Sequence, residues 1–462
     1  METGSLKYVY LLGAGGIGMS ALGRYFLNLG KEVAGYDKTP SALTDELIAE
    51  GMQISFEDKT ETLPAFISQG PSAEILVIYT PAVPADSELL NHIREAGFKP
   101  QKRSEVLGMI AAAHRTIAVA GTHGKTTTST LIAHMLRYAG YNPVAFLGGI
   151  SVNYNSNYLP GNADSLLVAE ADEFDRSFLT LNPDTGIITS VDADHLDIYG
   201  NAASLIDSFE AFARTVKRKL ILKNGLDLPG ELYGKAVTYH TSKPSDVSLK
   251  DLKIEQGSYV FDALASDVLI SGIALGVPGK HNVENALAAI AVALDLGIPS
   301  NTIREALESF KGVKRRFEYI VKSDELVYID DYAHHPEELR AFISSVKAMY
   351  PGKVITGVFQ PHLFSRTRDF MEGFAESLSL LDEVMLMEIY PAREKPIEGI
   401  TSSVLLDKIE AKNKSLVNGE KLLQRISEKK PQVLLTMGAG DIDRMVTPLR
   451  NMLSTKTEAH ES

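Results

Sequence analysis

The segment "TIAVAGTHGKTTTS", residues 116–129, runs from a short apolar strand through a glycine turn into the helix-forming stretch "TLIAHMLRYAG". Gly121 and Gly124 let successive backbone amides point inward. Lys125 can reach the terminal phosphates of a nucleotide, and Thr126 can hold Mg²⁺, with Thr122 and Thr127 beside them. The loop departs from G-x-x-x-x-G-K-[ST] in having Val119 where the first glycine belongs. A chance turn with a solvated lysine is the alternative, and the strand before and helix after the loop favour the nucleotide. A neighbouring strand should supply a carboxylate to the metal, and Glu170, ending "LLVAE", is in place for it, with Asp172, Glu173 and Asp175 close behind. His195, at the end of "GIITSVDADH", reads equally as part of a second Mg²⁺ site or as a strand-end cap. His334 and His335 are adjacent and point different ways, which argues against a zinc site of the H-E-x-x-H type.

A second glycine turn lies upstream. In "YLLGAGGIGMSALG", residues 10–23, Gly13, Gly15 and Gly18 have the G-x-G-x-x-G spacing of a dinucleotide-binding turn, and Asp37 follows where a ribose contact would be. Taken alone the turn favours NAD. The spacing demands only that a phosphate approach a helix N-terminus, however, and the downstream loop points instead to ATP used with a nucleotide-linked substrate.

With 462 residues the chain exceeds one hydrophobic core. Alternating strand and helix patterns predict an α/β protein of three domains: a Rossmann-like domain over 1–107, a central P-loop domain over 108–312 and a Rossmann-like domain over 313–462. Residues 236–280 read as an antiparallel edge of the central domain, and "HNVENALAAIAVALDLG" as a buried helix. Strands in "KVITGVFQP", "EVMLMEIYPA" and "QVLLTMGAGD" would crowd His362, Arg366, Arg393, Gly438 and Asp441 along one carboxyl edge, where open α/β sheets bind ligands. Forty-six basic against 59 acidic residues, a net charge of -13, leave no broad cationic surface for nucleic acid. Cysteine is absent, which removes disulfides, thiolate metal sites and cysteine nucleophiles. Neither a secretory signal nor a membrane span is visible, so a cytoplasmic protein is expected.

At "GTHGKTTTS", "AEADE", "DADH", "GKHNVENALAA", "KRRFE", "DDYAHHPEE" and "FQPHLFSRTRDF" the chain resembles the Mur ligases of peptidoglycan synthesis, over essentially its whole length. The resemblance implies that the first loop, with Gly13, Gly15, Gly16, Ile17, Gly18, Asp37, Thr80 and Arg103, binds a UDP-sugar rather than NAD. ATP would be held by Gly121, Thr122, Gly124, Lys125, Thr126, Thr127, Asn282, Asn285, Arg316 and Asp331. One Mg²⁺ would sit on Thr126 and Glu170, and His195 would hold a second. Tyr332, His334, His362 and Arg366 would frame the amino acid. The likeness is strongest to the alanine-adding branch, whose partners are UDP-N-acetylmuramate and L-alanine and whose chemistry passes through an acyl phosphate, in a monomer or homodimer. The amine must attack as a free base, and His334 or His362 could assist it. Leu363 replaces an arginine that many relatives carry after "FQPH", and the absence of lysine between Leu205 and Val216 predicts no carbamylated lysine.

Overall fold

The computed structural model describes residues 5–192, 199, 201–255, 258–392 and 394–458, so His195 and Arg393 lie outside the described residues. The first sheet is parallel throughout. Its strands β1 (Tyr8–Leu12), β2 (Glu32–Tyr36), β3 (Gln53–Ser55), β4 (Ile75–Tyr79) and β5 (Gln101–Lys102) stand in the order β3-β2-β1-β4-β5. The order reverses direction beside β1, which is where such sheets open a ligand crevice. Helix starts follow their local chemistry: Ser41 and Ser87 accept from backbone N–H groups at the starts of Ala42–Ala49 and Glu88–Glu95.

The second sheet has ten strands: β6 (Thr116–Ala120), β7 (Val144–Ser151), β8 (Ser156–Leu159), β9 (Leu167–Glu170), β10 (Thr185–Ile188), β11 (Lys219–Lys223), β12 (Ala236–His240), β13 (Val247–Glu255), β14 (Ser258–Ala265) and β15 (Val268–Leu275). Their order is β15-β14-β13-β12-β11-β10-β6-β9-β7-β8. β6 lies between β9 and β10, so the phosphate loop leaves the sheet flanked by the two strands expected to carry its acidic partners. The expectation of an antiparallel edge over 236–280 does not hold at its start. β12 pairs parallel to β11, because the connection through the short helix Gly230–Tyr233 brings the chain back to the same end of the sheet.

The third sheet contains β16 (Glu318–Lys322), β17 (Val327–Asp331), β18 (Ile355–Phe359), β19 (Glu383–Leu386), β20 (Asn413–Leu416) and β21 (Val433–Met437), in the order β16-β17-β21-β18-β19-β20. Only β16 runs antiparallel to its neighbour. β17, β18 and β21 are buried along their whole length, as parallel strands covered on both faces must be. Among the described residues no helix is long and apolar enough to cross a membrane.

The chain divides into two compact units. One comprises Met1–Lys250, Asp262–Ile273 and Glu284–Phe310; the other comprises Asp251–Phe261, Ala274–Val283 and Lys311–Ser462. Within the first unit, both glycine turns share one apolar core, in which Leu11, Met19 and Phe26 join Phe146, Tyr158, Phe178 and Phe209. A polar strut crosses that core. Asn157, on β8 and without exposed surface, donates to Ile17 O at 2.6 Å and to Ser20 Oγ at 2.8 Å, and its Oδ1 accepts from Arg24. Arg24 is itself buried and fastened to Glu46 and Glu50. The first turn of helix Ile17–Asn28 is thereby tied to the second sheet.

Replacing Asn157 by Leu leaves one N–H of Arg24 short of an acceptor and Ile17 O and Ser20 Oγ short of a donor, and buried polar groups that lose their partners are destabilising. Urea denaturation should report a loss of about 2–4 kcal/mol for Asn157→Leu. A loss below about 0.5 kcal/mol, the level of an ordinary surface substitution, would contradict the strut.

Candidate active site

The phosphate loop takes the conformation its glycines allow. Gly121 has φ +136° and Gly124 φ +83°, both in the region that excludes ordinary side chains. A Cβ on Gly121 would stand 2.1 Å from Thr189 Oγ1, and one on Gly124 would stand 2.7 Å from Asn285 Oδ1. Thr189 and Ser190, just past β10, brace the loop. Ser190 Oγ accepts from His123 N at 2.7 Å and lies 2.9 Å from Thr122 Oγ1, and Thr189 Oγ1 donates to Ala120 O at 3.1 Å. Helix Lys125–Tyr138 starts at Gly124, so the unpaired N–H groups of its first turn open onto the loop.

Two carboxylates divide the work at the loop. Thr126 Oγ1 donates to Glu170 Oε2 at 2.9 Å, whereas Lys125 Nζ lies 2.9 and 2.8 Å from the two oxygens of Glu173. Lys125 also donates to Gly121 O at 2.6 Å. Burial works against its charge, but Glu173, Asp172 and Glu170 outweigh burial and hold its pKa above the ordinary lysine value. A hydroxyl and a carboxylate oxygen at the mouth of a phosphate loop suit Mg²⁺, which takes few protein ligands and keeps several waters. Thr126 and Glu170 are the residues that would hold it. Among the described residues no cluster of three or more metal-binding His, Asp or Glu side chains occurs.

The upstream turn is built the same way. Gly13 has φ +89°, and the helix Ile17–Asn28 begins at Gly16. Asp37 is drawn onto the loop itself, its Oδ2 accepting from Gly15 N at 2.7 Å. A Cβ on Gly13 would meet Thr80 Cγ2 at 2.5 Å, and one on Gly18 would meet an Arg103 guanidinium nitrogen at 2.9 Å. Asp37, Thr80 and Arg103 therefore surround the turn. Arg103 also faces the other loop's acids, 3.9 Å from Asp172, across a narrow cleft lined by Arg103, Ser104, Glu170 and Asp172.

Asn282 and Asn285 sit three residues apart in helix Lys280–Asp295, both buried. Asn285 closes over Gly124, while Asn282 donates to Pro278 O at 2.6 Å.

The second unit gathers the remaining candidates. Arg316 stacks over the Tyr332 ring at 5.0 Å and Arg315 at 5.3 Å. The Asp331 carboxylate accepts from Phe317 N at 2.7 Å and from Ala333 N at 2.8 Å; burial pushes it up to about 7, against Arg316 and those two N–H groups. His334 lies edge-on to Tyr332 at 5.2 Å and to His362 at 6.4 Å, and Arg366 approaches His362 Nδ1 at 3.4 Å. His362 stacks on Tyr390, and Gln360 ties β18 to Asp441 at 2.8 Å. Leu363 adopts φ +70° and ψ +135°, strain of about 1–3 kcal/mol for a non-glycine residue, and it stands between the two side chains expected to meet the amino acid.

Three family models match the chain in succession: Mur ligase family, catalytic domain, at residues 8–115; Mur ligase middle domain at 119–293; and Mur ligase, glutamate ligase domain, at 315–440. The chain belongs to the Mur ligase family. This Mur ligase is 49% identical over 456 residues to the UDP-N-acetylmuramate–L-alanine ligase of Flavobacterium johnsoniae, covering 98% of this chain and 99% of the relative. It is also 49% identical over 458 residues to the protein of the same name from Porphyromonas gingivalis, covering 97% and 100%. Among solved structures, the UDP-N-acetylmuramate-alanine ligase of Thermotoga maritima superposes with a TM-score of 0.83 at 29% identity, covering 97% and 99%. A MurF ligase from Thermotoga maritima in complex with ADP shares the fold at a TM-score of 0.61 and 17% identity, covering 92% and 96%.

Some residues of this Mur ligase's site carried no strong signal in the sequence. Thr189 and Ser190 sit in an ordinary strand-end "TSV". Gly148 carries a weak signal of its own, because paired glycines inside a strand mark a close approach of backbone or side chain. A Cβ there would stand 1.7 Å from Glu170 Oε2 and 2.9 Å from Thr126 Oγ1. Gly148→Ala should therefore force Glu170 off Thr126 and reduce turnover by about a hundredfold, the scale set by removing one electrostatic contact in a catalytic site, while the melting temperature moves little. Unchanged turnover in steady-state phosphate release would contradict the pairing.

Proposed function

We propose that the chain joins L-alanine to the lactyl carboxylate of UDP-N-acetylmuramate, with ATP converted to ADP and phosphate, in peptidoglycan precursor synthesis. The observation that carries this reading is the pairing of two anion cradles within one unit, with Arg103 reaching from the sugar-nucleotide turn to Asp172 beside the Thr126–Glu170 pair. The near-full-length likeness to relatives named for that reaction supports it. A carboxylate does not acylate an amine by itself. Transfer of the γ-phosphoryl group to it makes an acyl phosphate, which the free amine of alanine attacks, releasing phosphate.

In this reading residues 1–107 take the UDP-sugar, with the diphosphate over the turn at Gly13, Gly15, Gly16, Ile17 and Gly18 and with Asp37, Thr80 and Arg103 around it. Residues 108–312 take ATP, whose phosphates meet the loop Gly121–Thr127 at the amides of the helix start, Gly124–Thr127, and at the ammonium of Lys125, with Asn282 and Asn285 toward the base. Thr126 and Glu170 would hold one Mg²⁺ and His195 a second, and such ions would supply neutralisation of phosphate charge. Phosphoryl transfer depends mainly on such positioning and charge compensation, which is what these groups supply. Residues 313–462 take the amino acid, Arg366 facing its carboxylate and His334 or His362 orienting or deprotonating the amine, with Tyr332 as a wall. Arg316 and Asp331 serve the nucleotide.

The ligase that attaches recycled tripeptide to UDP-N-acetylmuramate shares these loops, and a murein peptide ligase from Psychrobacter arcticus has the same fold at a TM-score of 0.69 but only 22% identity. One assay separates the two: phosphate release with ATP, Mg²⁺ and UDP-N-acetylmuramate, with alanine, glycine, serine or tripeptide added singly. Alanine should give the highest kcat/KM, and a preference for tripeptide would overturn the assignment. Lys125→Ala should retain UDP-sugar binding and fall to less than about one per cent of parental turnover; activity above a few per cent would contradict its role.

A further inference from the structure

We propose that Glu173 is a positioning residue for Lys125: its buried carboxylate fixes the ammonium so that one N–H faces the phosphoryl group in transfer. This rests on the reading that ATP occupies the loop at residues 121–127.

The argument begins with the donors of Lys125. An ammonium has three N–H groups and no acceptor. One is spent on Gly121 O at 2.6 Å, and the Glu173 carboxylate takes another with its oxygens at 2.9 and 2.8 Å. The longest contact, 3.4 Å to Thr122 O, is the one a phosphate oxygen replaces at least cost. Lysine carries its charge on a flexible four-carbon stem, so the direction of that third N–H depends on what holds the other two.

Glu173 is suited to hold them because it is buried and tied down on both sides. It has no exposed surface, and its carbonyl accepts from the hydroxyl of buried Tyr199. Across it, the preceding Asp172 carboxylate accepts from the following Phe174 N at 3.1 Å, and the turn Phe174–Thr180 sends Phe178 into the core, stacked on Phe212 at 5.3 Å. Glu170, three residues earlier, is engaged by Thr126. The two acids therefore do different things: one faces the hydroxyl suited to a metal, and the other aims the cation.

A merely structural ion pair would affect folding and binding together, whereas an aiming residue affects the rate. Most of the grip on ADP comes from loop amides, and the lysine matters most when charge shifts during transfer. For Glu173→Gln, which keeps the reach and one acceptor, kcat should fall about tenfold to a hundredfold, while the Kd for ADP stays within about threefold and UDP-sugar binding is unchanged. Glu173→Ala should fall further, so that the glutamine variant restores part of the rate. Full activity in Glu173→Gln alongside an inactive Lys125→Ala would overturn the role of Glu173 and leave the ATP reading intact. Full activity in Lys125→Ala would overturn the ATP reading itself. ADP binding more than threefold tighter in Glu173→Gln, or joint loss of melting temperature and UDP-sugar binding in both Glu173 variants, would also overturn the proposal, marking the pair as a competitor of phosphate or as a structural element.

Discussion

Backbone amides grip an anion readily where a strand has ended and a helix has just begun, because the first N–H groups of a helix have no partner within it. This chain makes that arrangement twice in one unit, at Gly13–Gly18 and at Gly121–Thr126, and the two must keep a constant separation if a group is to pass from one ligand to the other. Asn157 meets that demand. It bonds Ile17 O and Ser20 at the start of the upstream helix, and it stands on β8, the neighbour of the β7 strand that carries Gly148 against Glu170. A continuous apolar core around it gives the junction its stiffness.

A chain with a net charge of -13 that handles polyphosphates has to arrange its cations locally. Lys125 is kept charged inside the protein by Glu173, Asp172 and Glu170, and Arg103 is balanced by Asp172. Each cation is thus presented by acids whose positions are set by the backbone. In the second unit the same economy uses aromatic faces: Arg315 and Arg316 lie over Tyr332, and His362 lies on Tyr390.

The parts of this architecture visible in the sequence are those with a periodic or spaced signature. The strands of "YVYLL", "TIAVA" and "ITGVF" and the long helices around the core read directly from apolar periodicity, and both glycine turns read from spacing. What escaped had no such signature. β3 and β5 are only three and two residues long, and β7 and β8 carry glycine, serine and asparagine, which weaken the strand pattern. Glu173 was visible as one acid in a run, but its task depends on which carboxylate faces Lys125, a question settled by the turn at Phe174–Thr180 and not by spacing. The parallel entry of β12 likewise depends on a crossover that composition does not reveal.

That the two cradles serve one condensation is tested most directly by isotope transfer. UDP-N-acetylmuramate carrying ¹⁸O in its lactyl carboxylate should, with ATP, Mg²⁺ and alanine, deliver one labelled oxygen to the phosphate released, read by mass spectrometry or by the ³¹P chemical shift. Unlabelled phosphate formed in step with the alanine adduct would mean that the carboxylate is never phosphorylated, and the account would fail.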